Sequence, residues 1–160
     1  MKIRNAHKND INKILSIYEK ARNFMMQNGN PTQWGNVYPQ PVIVKEDIDK
    51  NRLFVCEDGG EIFAVFMYMT EPEPTYSEID GNWLNEEKYA TIHRVASDGS
   101  HKGVLCNIIN WCFSKFENLR CDTHENNIPM QNALEKNGFI RCGTIFLIDG
   151  SSRIAYQKII

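Results

Sequence analysis

Arg120-Cys121-Asp122-Thr123-His124-Glu125-Asn126-Asn127-Ile128-Pro129-Met130-Gln131-Asn132-Ala133-Leu134-Glu135-Lys136-Asn137-Gly138-Phe139 is the stretch whose reading decides the fold. Leu119 to Thr123 reads as a short strand, and the polar turn after it leads into a helix from about Ile128 to Lys136. Asn127 suits the N-cap of that helix, Pro129 its first turn, and Gly138 the left-handed position that ends it. Two strands follow, Phe139 to Leu147 and Ser152 to Lys158, turned by Asp149-Gly150.

Working back from Leu119, a helix presents Leu105, Ile108, Ile109, Cys112, Phe113 and Phe116 as its apolar stripe. It is entered through Ser97-Asp98-Gly99-Ser100-His101-Lys102-Gly103, which follows a strand over Tyr89 to Ala96. Leu53 to Cys56 and Ile62 to Met69 form a hairpin joined by Asp58-Gly59-Gly60. The second of these runs is apolar on both faces, which predicts a strand inside the sheet. Glu71 to Lys88, with Pro72 and Pro74, reads as an insertion over a pocket that brings in Tyr76 and Trp83. At the start, Asn9 and Asp10 are placed to cap a helix carrying Ile11, Ile14, Leu15, Tyr18 and Met25 on one face. Gly29 to Pro41 then forms an ordered loop around Trp34 and Tyr38, before a short helix ending near Asp49. The order β-α-α-β-β-β-α-β-α-β-β predicts an α+β fold with a mixed, mostly antiparallel central sheet and helices on both faces.

A chain of 160 residues, 42% of them apolar, is expected to form a single domain over residues 1–160. Eighteen basic against 20 acidic side chains give a formal charge of −2, which argues against nucleic acid as a partner. No apolar run reaches the roughly 20 residues of a membrane helix, and Met1-Lys2-Ile3-Arg4-Asn5 lacks the apolar stretch of a signal peptide. A cytoplasmic protein without membrane association is therefore expected. Cys56, Cys106, Cys112, Cys121 and Cys142 contain no Cys-x-x-Cys pair, so reduced thiols are expected, with no disulfide framework and no metal.

The loop before the long helix is where binding chemistry concentrates. First-turn amides point outward unpaired and the helix dipole adds positive charge, so such an end accepts a phosphate or pyrophosphate. Gly103 leaves room for the approach, and His101 and Lys102 offer donors beside it, although Lys102 reads equally as a solvated charge. With the second half of the chain this pattern resembles the GNAT superfamily of N-acetyltransferases. In that family a strand ends near an Asn, a helix follows, and a Glu-Lys-x-Gly-Phe segment starts the next strand, as Glu135-Lys136-Asn137-Gly138-Phe139 does here. Ser100-His101-Lys102-Gly103-Val104-Leu105 is similar to the coenzyme loop Gln/Arg-x-x-Gly-x-Gly/Ala. It keeps the central glycine; Ser100 replaces the Gln or Arg and Leu105 the second small residue.

The resemblance implies acetyl-CoA as co-substrate and a splayed strand pair, the strand with His93 to Ser97 diverging from the one ending at Thr123. It implies that backbone groups of Val95, Ala96 and Ser97 pair with the pantetheine arm and that amides of His101, Lys102, Gly103, Val104, Leu105 and Cys106 hold the pyrophosphate. Asn127 and Met130 are expected to reach the coenzyme as well, and for Asn127 this is compatible with capping its helix. A homodimer is compatible with the resemblance, though no residue fixes it.

Acetyl transfer needs a neutral amine, a polarised thioester carbonyl and a proton for the leaving thiolate. His93 is the candidate base, or else a structural histidine, because strand alternation places Tyr89, Thr91, His93 and Val95 on one face. His124 is a second titratable group, read as stabilising its turn. Where the family often carries a tyrosine as thiolate acid this chain has Leu134, which leaves Tyr156, Ser97 or water for that part. Trp34, Tyr76 and Trp83, with Gln33, Tyr38, Glu71, Glu73 and Asp80 nearby, are the candidate acceptor-binding groups. The expected activity is direct acetyl transfer to a primary amine of a small molecule or peptide. The alternative is a catalytically silent acyl-CoA-binding sensor or interaction module of the same fold.

Overall fold

The computed structural model describes residues 1–160. Eight strands, numbered along the chain as β1 (Lys2–Asn5), β2 (Leu53–Asp58), β3 (Glu61–Met69), β4 (Asp80–Gly81), β5 (Ala90–Ser97), β6 (Asn118–Thr123), β7 (Ile140–Phe146) and β8 (Ser152–Ile159), form one mixed, mostly antiparallel sheet in the order β1-β2-β3-β5-β6-β8-β7-β4, and four α-helices complete an α+β fold. The chain sorts into two compact units, each assembled from two segments: Met1–Tyr68 with His93–Val104, and Met69–Ile92 with Leu105–Ile160.

The first unit begins with β1 (Lys2–Asn5), α1 (Ile11–Gln27), α2 (Pro41–Asp49), β2 (Leu53–Asp58) and β3 (Glu61–Met69, as far as Tyr68). β1 and β3 flank β2, both antiparallel to it. The hairpin turn holds Gly59 at φ 56 and Gly60 at φ 87, a pair of left-handed positions that side-chain-bearing residues would occupy under strain. β3 buries Ile62 to Met67 without a break, as expected of an interior strand. Each such large side chain contributes about 1.5–3 kcal/mol of burial. On α1 the buried set is Ile14, Ile17 and Tyr18, with Leu15 at the margin of the stripe.

Asp10 departs from its expected part as a helix cap. Its carboxylate accepts the Arg4 guanidinium at 2.7 Å and the His7 amide at 2.8 Å, closing a short 3-10 turn before α1. Asp10 does stand at the N-cap position of α1, but its side chain makes no capping hydrogen bond there because Arg4 and the His7 amide take its oxygens; Asn9 lies within the 3-10 turn.

The second unit contains β4 (Asp80–Gly81), α3 (Val104–Phe113, from Leu105 on), β6 (Asn118–Thr123), α4 (Ile128–Lys136), β7 (Ile140–Phe146) and β8 (Ser152–Ile159). β5 (Ala90–Ser97) starts here and ends in the first unit. Its parallel register with β6 runs through Ala90↔Leu119 and Thr91↔Arg120. β8 is the interior strand, antiparallel to β6 on one side and β7 on the other. α4 is closed as its sequence suggested: the Asn127 side chain accepts the Met130 amide at 3.2 Å, and Gly138 turns left-handed at φ 83.

Two elements differ from the sequence reading. The expected stripe carries α3 on to Phe116, but the helix stops at Phe113, and Val104 is buried where Leu105 is only partly so. The insertion after Met69 is not strand-free: β4 adds an eighth, edge strand against β7 through Asp80↔Thr144 and Gly81↔Gly143. A Cβ on either glycine of that pair would collide with the opposing backbone, so only glycine lets the two chains meet this closely.

Candidate active site

The loop into α3 is built by local hydrogen bonds. The Asp98 amide donates to the Phe63 carbonyl at 2.9 Å, and the Asp98 carboxylate accepts both the amide and the hydroxyl of Ser100. Burial opposes the charge on Asp98, but these two bonds outweigh it and hold its carboxyl below the usual range. The His101 imidazole stacks on Phe63 with centroids 3.7 Å apart, its Nδ1 2.8 Å from Ser100 Oγ and its Nε2 3.7 Å from Asp58. One face of the ring is thus covered by Phe63, while the side chain stays 40% exposed. Gly103 stands at φ 70, and a Cβ there would meet nothing within 4 Å. The glycine is needed for its backbone conformation, and the space in front of it is open. Lys102 and Cys106 are exposed, and Val104 is buried beneath the start of the helix.

Strand β5 carries the largest departure from the sequence reading. Arg94 adopts φ 51, a left-handed conformation in mid-strand, which interrupts the alternation expected to align Thr91, His93 and Val95. Three segments hold it there. Arg94 Nε and Nη2 lie 3.0 and 2.6 Å from Asp47 Oδ2, Nη1 donates to the Tyr38 hydroxyl at 3.1 Å, and the Tyr18 hydroxyl donates to the Arg94 carbonyl at 3.2 Å. Asp47, 1% exposed, also accepts Arg52 Nε at 2.6 Å. Burial works against the Arg94 charge, yet Tyr38 and Asp47 more than compensate and leave the guanidinium firmly protonated. Trp34, half-buried, packs edge-on to Tyr18 at 5.7 Å and tilted to Tyr38 at 6.2 Å. The candidate acceptor group Trp34 therefore belongs to the same cluster as the strand segment that follows His93. His93, Val95 and Ser97 are partly exposed and Ala96 is buried.

The remaining candidates lie in the second unit. Tyr156 is fully buried on β8 and donates to Glu135 Oε1 at 3.3 Å; burial, then Glu135, push its phenol up to about 12. Leu134 is buried in the core. His124 accepts the Asn126 amide on Nδ1 at 3.1 Å, and burial lowers its pKa, which suits a neutral ring that shapes the turn before Asn127. Asn127 is buried at the head of α4 and Met130 is half-buried one turn along. Tyr76 and Trp83 are buried with Ile145 and Ala155. The Tyr76 hydroxyl donates to Asp122 at 2.7 Å, and Trp83 stacks on the Arg120 guanidinium at 4.0 Å. Glu73 is occupied in capping its own turn through Thr75.

Sequence reasoning missed Arg94, Tyr18 and Asp47. A signal for Asp47 existed: it falls with Val44 and Ile48 on the buried face of α2, where a carboxylate requires a cationic partner. A left-handed arginine leaves no trace in a strand pattern.

An α+β sheet of this order, with a glycine-turned loop leading into α3 and a capped turn before α4, defines a protein of the acetyltransferase class. No family model matches the sequence, and no curated relative does. Among solved structures, an acetyltransferase of the GNAT family from Streptococcus agalactiae 2603 is 32% identical over 99% of this chain and 95% of its own, with a TM-score of 0.90. A GNAT-family acetyltransferase from Listeria monocytogenes 4b F2365 (18% identity, 99% and 94% coverage, TM-score 0.74) shares the fold. So does the ribosomal-protein-alanine N-acetyltransferase from Brucella melitensis (16% identity, full coverage of both chains, TM-score 0.65). The chain belongs to the GNAT family and is an N-acetyltransferase. None of its helices is long and apolar enough to cross a membrane.

Proposed function

We propose that the chain moves an acetyl group from acetyl-CoA directly to a primary amine of a small molecule or peptide, as one catalytic domain working in the cytoplasm. The observation that carries the coenzyme assignment is the loop before α3: a left-handed Gly103 facing open space, immediately before a ten-residue helix whose first-turn amides have no partner within the helix. These residues fit a diphosphate. The amides of His101, Lys102, Gly103, Val104, Leu105 and Cys106 hold it, the Val95 carbonyl with the backbone of Ala96 and Ser97 takes the pantetheine arm as an added strand would, and Asn127 and Met130 contribute from the head of α4.

Acetyl-CoA supplies an activated acyl group on a thioester. His93 accepts the proton that the attacking amine must lose, directly or through water. A peptide N–H of β5 donates to the acetyl carbonyl as negative charge builds on its oxygen. The new C–N bond forms as the C–S bond breaks, and the thiolate needs a proton. A coenzyme thiolate with a pKa of about 8.5 lies some 3.5 units below the Tyr156 phenol, held up to about 12, so full transfer from Tyr156 runs uphill by roughly 5 kcal/mol. The Tyr156 hydroxyl already donates to Glu135, so it turns from that carboxylate to serve as a hydrogen-bond donor, and solvent completes the protonation. Trp34, in the aromatic cluster beside β5, lines the acceptor position.

Thermal-shift titration with acetyl-CoA, followed by thiol release across an amine library, tests the reading. Stabilisation together with amine-dependent thiol release supports it. Stabilisation without release from any amine points to a silent acyl-CoA sensor, supported by the buried Leu134 at the position where the family's acid often stands. No stabilisation at all removes the coenzyme from the account.

A further inference from the structure

Only two non-glycine residues of the chain have positive φ, and they differ in kind. Asn51, at φ 54, sits in the turn after α2, where asparagine tolerates the left-handed region. Arg94, at φ 51, lies inside β5. Glycine would take that conformation with the least strain, so an arginine there points to a requirement for its side chain.

The surroundings meet that requirement from several directions. Asp47 on α2 receives two guanidinium nitrogens, Tyr38 in the preceding loop receives the third, and Tyr18 on α1 binds the carbonyl. Arg52 neutralises the other oxygen of Asp47. Tyr18 is fully buried, and burial raises its phenol well above the usual range, so it remains a donor at every working pH.

The Arg94 carbonyl and the Val95 N–H belong to one planar trans peptide group, in which the two bonds point in opposite directions. Fixing the carbonyl toward Tyr18 therefore fixes the Val95 N–H away from it. We propose that Tyr18, with Arg94 and Asp47, is a positioning device that aims the Val95 peptide N–H at the acetyl carbonyl. The proposal rests on the acetyl-transfer reading above and adds to it which donor acts and what holds that donor in place. Tyr18 touches neither substrate in this account. It acts through the peptide plane alone.

Tyr18→Phe removes the hydroxyl and keeps the ring packed on Trp34. In this variant kcat falls at least tenfold, while the Kd for CoA, which has no acetyl carbonyl, changes less than twofold and the circular dichroism spectrum is unchanged. Arg94→Gly, which accepts the left-handed conformation but lacks the guanidinium, loses kcat in the same way. A second readout does not depend on turnover. In 15N-labelled wild-type protein acetyl-CoA shifts the Val95 amide resonance beyond the shift caused by CoA, and Tyr18→Phe abolishes that difference. Unchanged kcat in folded Tyr18→Phe, or equal Val95 shifts with the two ligands in the wild type, overturns the proposal. Neither outcome touches the acetyl-transfer reading, which fails instead if the wild type binds no acetyl-CoA; in that case the Val95 resonance does not move and the proposal falls with it.

Discussion

Gly103 offers a way to separate backbone strain from charge in the coenzyme loop. At φ 70 any side-chain-bearing residue costs about 1–2 kcal/mol of conformational strain, and Gly103→Ala and Gly103→Glu incur it alike. The methyl of the alanine variant meets nothing within 4 Å, so Gly103→Ala should weaken folding slightly and leave coenzyme affinity within a few-fold. The glutamate variant adds a negative charge to the space assigned to a diphosphate. At about 5 Å and an effective dielectric near 20, one such charge pair costs about 3 kcal/mol, equivalent to roughly two orders of magnitude in Kd. Because the loop is exposed, salt screens part of this, and the penalty should shrink as ionic strength rises past about 0.15 M. Calorimetric titration of both variants with acetyl-CoA at two salt concentrations measures the quantity directly. If Gly103→Glu binds within threefold of Gly103→Ala at low salt, the diphosphate does not lie against this glycine and the reasoning fails.

Three further outcomes follow from the site and its supports. Asp47→Ala leaves the Arg94 and Arg52 guanidinium groups without their shared carboxylate; since Arg52 keeps about a quarter of its side chain in solvent, the loss is set near the lower end of the range for a broken buried pair, about 3 kcal/mol. For a chain of this size that lowers Tm by roughly 6–12 °C, and a Tm within 2 °C of wild type would contradict it. His93→Ala should reduce turnover by about 100-fold or more and remove the acid limb of the pH–rate profile while sparing CoA affinity; an unaltered profile makes His93 structural. The carboxyls of Asp10 and Glu57 are held below their usual range chiefly by hydrogen bonds from Arg4. A depressed folded-state value means that their stabilisation is complete above the unfolded-state values near pH 4 and is lost as pH falls through the folded-state ones. Thermal unfolding from pH 6 to pH 2 should accordingly show a steeper acid limb in the wild type than in Arg4→Met, and equal slopes would remove this cluster from the acid response.

What was legible in the sequence, and what was not, divides along physical lines. The hairpin at Asp58-Gly59-Gly60 and the capped helix from Asn127 to Gly138 were readable because each is fixed by residues adjacent in the chain, through φ preference and a side chain reaching three residues on. β4 was not, since its two residues form a strand only because Gly81 and Gly143 can approach across 62 positions of sequence. The side chain of Glu73 read as an available acceptor, yet it is taken up by Thr75, and the His101 ring is oriented by its stacking on Phe63, neighbours that a linear pattern does not weigh. Arg94 is the limiting case. Its partners Tyr18 and Asp47 stand 76 and 47 residues away, and the conformation they impose is one that local propensity disfavours. Periodicity rules describe what a segment does when nothing distant overrides it. A residue held against its own preference by distant partners is thus invisible to them, and because those partners also restrict its motion, the same property suits it to holding a peptide group still while a carbonyl beside it gains charge.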